Sequence, residues 1–96
     1  MAAIEVRPAG EDDSSFSFRV TVREGDGSET HHSVTLSRTD WLRLGAGFDS
    51  PEQFVRACFE FLLGREGKES ILDAFDVSVI GRYFPEFESM IIRPRG

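Results

Sequence analysis

From Phe16 to Arg23 the chain alternates, with Phe16, Phe18, Val20 and Val22 on one side and Ser17, Arg19, Thr21 and Arg23 on the other. A two-residue period predicts a strand with one face in the core and one in water, as in an antiparallel sheet covered on one side. Ala3 to Arg7 alternates Ile4 and Val6 with Glu5 and Arg7. It predicts a shorter first strand that stops at Pro8, which has no N–H to give a ladder. Between these strands Gly10, the acids Glu11, Asp12 and Asp13, and two serines read as a solvated loop. The acids lack the spacing of a calcium loop. Glu24 to Ser28 is a turn rich in residues that tolerate positive φ, and Glu29 to Ser37 returns as a third strand with His32, Val34 and Leu36 pointing together.

After Ser37 the period changes. Ser37 to Leu44 predicts a short helix, capped by Ser37 or Thr39 and ended by Gly45 and Gly47, with Trp41, Leu42 and Leu44 over the sheet edge. Gly45-Ala46-Gly47 lacks the lysine and third glycine of a phosphate loop and reads as a hinge. Pro51 to Leu63 predicts the dominant helix. Ser50 caps it, Pro51 fits its first position, and Gln53 completes a capping box. Its polar residues Gln53, Arg56 and Glu60 fall in one narrow stripe. A helix so apolar around most of its circumference needs cover on two sides: a sheet on one, and more helix or a second subunit on the other. Gly64 or Gly67 ends it.

Ser70 with Asp73 predicts a helical turn, and Asp76 caps a helix from Val77 to Phe84 whose face carries Val79, Ile80, Tyr83 and Phe84. Pro85 breaks it. Phe87, Met90 and Ile91 suit a last turn of helix, while Met90-Ile91-Ile92 also suits an edge strand; of the two, helix is the expectation. Arg93 to Gly96 reads as a frayed end. Strands first and helices after predict one α+β domain over residues 1–96. Its three-stranded antiparallel sheet lies in 1–37, and three to four helices in 38–92 pack on one face.

At 96 residues, with 40% apolar and 29% charged side chains, the chain is long enough to bury one core without staples. Of its nine phenylalanines, all but Phe16 and Phe18 lie from Phe48 onward, so the core is aromatic and weighted to the second half. The net charge of −6 divides into −3 for residues 1–48 (five basic, eight acidic) and −3 for residues 49–96 (six basic, nine acidic). Neither half is a basic arm, which argues against nonspecific phosphate binding. The single Cys58 lies on the apolar side of the long helix and reads as a buried free thiol. With no secretory signal and no run near the roughly 18 apolar residues of a membrane span, it points to the cytoplasm.

His31 and His32 are neighbours on a strand, point to opposite faces and cannot readily share a metal. Cys58, His31, His32, Asp73 and Asp76 show no spacing that implies shared geometry. No catalytic, cofactor-binding or metal site is therefore expected, nor any cofactor or enzyme activity.

The run Phe54 to Glu66, with Glu69-Ser70-Ile71-Leu72, Phe75-Asp76-Val77 and Arg82-Tyr83-Phe84-Pro85-Glu86-Phe87-Glu88, resembles a small family of uncharacterised bacterial proteins. The likeness covers the second half of the chain and implies a bacterial, cytoplasmic protein; it carries no functional residue across. The main functional expectation comes from surplus apolar side chains late in the chain. It is a non-enzymatic protein-interaction module, its partner another protein or a second copy of itself, using Trp41, Tyr83, Phe84, Phe87, Met90 and Ile91. The alternative is a small regulatory or nucleic-acid-associated, antitoxin-like protein, for which Arg7, Arg19, Arg23, Arg38 and Arg43 supply the candidate basic residues.

Overall fold

The computed structural model describes residues 2–92; the expected frayed end at 93–96 lies outside them. Three antiparallel strands, β1 (Ala3–Glu11), β2 (Ser15–Arg23) and β3 (Glu29–Ser37), are followed by helices α1 (Arg38–Leu44) and α2 (Pro51–Leu63). After a 3₁₀ turn at Lys68–Ser70 comes a fourth strand, β4 (Ala74–Asp76), then α3 (Ser78–Tyr83) and α4 (Phe87–Ile91). The sheet order is β1-β2-β3-β4, and β4 runs parallel to β3. The α+β class is as expected, with one strand more than the alternating segments announce. A parallel neighbour needs a long crossover; here α1 and α2 form it.

Register follows the pattern read from the residues. Val20 faces His32 and Val6, and Phe18 faces Val34, so the apolar sides of the strands lie together. Phe18, Val20, Val22, Val34 and Leu36 are all buried. The opposite side, with Glu5, Arg7, Arg19, Arg23, His31 and Ser33, is exposed. β1 runs on past Pro8, against expectation, because a bulge between Pro8 and Gly10 lets the ladder step over it. Gly10 makes this possible with φ of 146°, a conformation that other residues rarely adopt.

The dominant helix is as expected. Ser50 Oγ accepts from the Gln53 amide at 3.2 Å, Pro51 opens the first turn, and Gly64 closes the helix. Gln53, Arg56 and Glu60 form its exposed stripe, whereas Phe54, Val55, Ala57, Cys58, Phe59 and Leu62 are buried. Its two-sided cover is visible in its rings. Phe59 meets His32 of β3 at 5.3 Å and Phe75 of β4 at 5.9 Å. Phe61, further round, meets Phe84 at 5.9 Å and Phe87 at 5.1 Å, edge-on. Sheet therefore covers one side of α2, and the C-terminal segment covers another.

Ser37 caps α1, its Oγ accepting from the Asp40 amide at 3.0 Å. Residues 86–92 hold the helix α4. The helical turn expected from Ser70 is replaced by extended chain running into β4, for reasons that lie in β3.

Candidate functional site

The segment after α2 is laid down by specific polar bonds. Arg65 stacks over the Phe61 ring at 3.8 Å and pairs with Glu86 at 3.1 Å, fastening the end of α2 to the start of α4. Lys68 is buried, yet its ammonium reaches Glu24 at 2.8 Å and Glu69 at 2.5 Å. These acids hold its pKa above the ordinary lysine range, although desolvation works against them. This ties the 3₁₀ turn to the β2–β3 turn.

His32 governs the next residues. Its ring is buried beside Phe59, with Nδ1 2.7 Å from the Leu72 carbonyl and Nε2 2.8 Å from the Thr30 hydroxyl. A carbonyl oxygen can only accept, so Nδ1 donates to Leu72; in the neutral ring Nε2 then accepts from the Thr30 hydroxyl. The Ser33 amide donates to the Asp73 carbonyl at 2.8 Å, and the Val77 amide to the Thr35 carbonyl at 2.9 Å. Asp76 finishes the join, accepting from the Thr35 hydroxyl at 2.5 Å and the Ser78 amide at 3.0 Å. Partial burial pushes the Asp76 carboxyl upward, but its bonds from Thr35 and Ser78 outweigh this and hold it below the usual aspartate value.

The consequence is a groove of about 250 Å³ beside β4. Leu62, Ile71, Phe75, Ile80 and Phe84 supply apolar walls, with Leu72, Val79 and Tyr83 along them and Ser70 and Glu66 adding polar groups. Leu72 is 47% exposed and Tyr83 67% exposed. Glu66 has no ion-pair partner among the described residues. The chemistry on offer is apolar burial with one carboxylate and two hydroxyls to orient an occupant.

The expected interaction residues divide. Tyr83 and Phe84 come together in this groove. Met90 is 58% exposed but lies outside its lining, its sulfur accepting from Arg65 at 3.1 Å. Phe87 at 1% and Ile91 at 5% exposure are core residues: α4 turns them inward, so they offer no surface. Trp41 is half-buried, edge-on to Phe54 at 6.1 Å and seated so closely on Gly45 that a Cβ there would lie 2.1 Å from its ring. The groove residues Ile71, Leu72 and Phe75 are not among those expected, because Ser70 with Asp73 reads as the start of a helical turn. A pair of large apolar residues between Ser70 and Asp73 was the available signal.

The groups considered for catalysis stay apart in role. Cys58 is buried and desolvation pushes its thiol pKa upward, which suppresses thiolate. His31 is on the exposed face, 3.2 Å from Thr21 and 3.3 Å from Glu29. Among the described residues no three His, Cys, Asp or Glu side chains are grouped to hold a metal. No helix among them is long and apolar enough to cross a membrane.

The uncovered sheet face carries a second depression, about 470 Å³, walled by Ala9, Ser17, Arg19, Ser33, Thr35 and Ala74 among others. Arg7, Arg19 and Arg23 share this face, but Arg7 pairs with Glu5 at 3.1 Å and Arg23 with Glu29 at 2.8 Å. Arg38 and Arg43 are likewise paired, with Glu11 and with Asp40 and Glu88. No protein-family model, curated protein or solved structure matches the chain.

Proposed function

We propose that this chain is a small, cytoplasmic, non-enzymatic protein-interaction module and that its docking surface is the groove beside β4. The observation that carries this is the pair Leu72 and Tyr83, two large side chains held open to water along an apolar groove. Exposed apolar surface of this kind along a groove marks partner sites. The aromatic C-terminal region thus keeps its proposed role through Tyr83 and Phe84. The partner is another protein or a second copy. The nucleic-acid-associated alternative ranks second, because most of its arginines are already paired with carboxylates.

A photo-crosslinking residue at position 83 tests the reading in living cells, with position 17 on the open sheet face as control. Discrete crosslinked products are expected from position 83, and L72D should abolish them. Equal products from positions 83 and 17, or no effect of L72D, would count against the groove.

A further inference from the structure

We propose that two copies of this chain associate through β1, edge to edge and antiparallel, about a two-fold axis at Val6. This extends the sheet across the pair and is independent of the groove, which lies by β4 at the opposite edge.

Backbone geometry shows which groups β1 has free. Pro8 pairs with Phe18 but has no N–H, so this must be a pair whose own backbone groups point away from β2. Alternation along the strand then directs the N–H and C=O of Ile4 and Val6 to the outer edge, while Ala3, Glu5 and Arg7 bond to β2. No described residue accepts or donates to that outer edge. Such a row is a template for another strand. The bulge after Pro8 limits it to the segment Ala3–Pro8.

Charge selects both occupant and register. Keeping a common apolar face restricts a self-pair to registers in which residues of the same face oppose each other. Centring on Val6 sets Glu5 of each copy opposite Arg7 of the other. Centring on Glu5 would oppose two glutamates, and centring on Ile4 would leave both charges without a mate. In the Val6 register the paired valines exchange two N–H···O bonds, and each Ile4 amide donates to the other copy's Pro8 carbonyl. The missing Pro8 N–H removes no bond that already exists. Arg7 also gains a carboxylate on the side away from Arg19, its like-charged neighbour on β2. Beneath, Ile4 and Val6, which are only partly buried at the edge of the core, acquire apolar neighbours.

So small an interface is a weak one, to be read by sedimentation equilibrium from about 10 μM to about 1 mM. The wild-type chain should shift from monomer to dimer over this range. E5R and R7E should each weaken self-association by roughly tenfold, since each opposes like charges across the axis. An equimolar mixture of E5R and R7E should recover the association as a heterodimer. Restored pairing in trans separates this interface from any effect of the Glu5–Arg7 contact within one chain. A monomer throughout, a dimer indifferent to both reversals, or a mixture that fails to recover would each overturn the proposal. Amide exchange on the wild-type chain gives a reading that needs no variant. Ile4 and Val6 should gain protection with concentration while Glu5 and Arg7 do not; equal behaviour of the two sets would also overturn it.

Discussion

The sheet ends in two edges made by different means. β1 is nine residues long, enters by a near-local hairpin with β2, and owes its place to alternating side chains and one bulge. β4 has three residues, lies parallel to β3 after the long α1–α2 crossover, and owes its place to partners on β3. The His32 ring holds the Leu72 carbonyl and the Thr35 hydroxyl the Asp76 carboxylate, on either side of the backbone bond from the Ser33 amide to the Asp73 carbonyl. A long edge can rest on strand propensity and backbone ladder. A short one cannot repay its ordering entropy that way and needs side-chain anchors. The contrast also sorts the surfaces: the long edge leaves a bare backbone row, and the anchored edge leaves apolar side chains standing over a groove.

His32→Ala should strike the anchored edge hardest. It removes a buried ring packed on Phe59 and leaves the Leu72 carbonyl without its donor, a loss of about 2–4 kcal/mol in chemical denaturation. Amide exchange should show Ser33 and Val77 losing protection while the β1–β2 ladder keeps it. Uniform loss along both edges would erase the distinction between them.

At the long edge the sensitive point is backbone conformation. Gly10→Ala meets no neighbouring atom but forces alanine to φ of 146°, a strain of about 1–3 kcal/mol. Its cost should appear in denaturation midpoint, with protection lost first at the Arg7 and Arg19 amides, the bonded pair beside the bulge.

Asp76→Asn should cost about 1 kcal/mol at neutral pH, since an amide replaces a carboxylate that accepts from Thr35 and Ser78. The folded-state pKa of Asp76 lies below its ordinary 3.8, so its contribution is full above that value. It is lost as pH falls through the folded pKa. The stability gap between wild type and D76N should therefore close on acidification below about 4 and stay constant from there to neutrality.

The smallest effect is expected from Glu5→Gln in the monomer. The Glu5–Arg7 pair is exposed, and breaking it should change stability by no more than about 0.5 kcal/mol. A large loss in dilute solution would mean that β1, too, depends on side-chain anchors.

What was legible in advance follows the same division. Alternation at Phe16–Val22 and the cap and polar stripe of Pro51–Leu63 identified β2 and α2, because each pattern is satisfied by neighbours close in the chain. β4 was not legible. Ala74-Phe75-Asp76 has too few residues to show a period, and Ser70 with Asp73 imitates a helix start. Tyr83, Phe84, Phe87, Met90, Ile91 and Ile92 read as an apolar surplus, but composition does not say which side of a short helix faces the core. The placement of α4 against Phe61 decided that Phe87 goes in and Met90 stays out.

By itself, the amino-acid order determined the α+β class, the hairpin, the buried central helix and the apolar register of the strands. These are set by local propensity and by periods of side-chain polarity. Tertiary structure decided the fourth strand, the buried setting of Lys68 and His32, and the groove between Leu72 and Tyr83. Each of those depends on groups distant in the chain meeting at hydrogen-bond range, and no local pattern encodes such a distance.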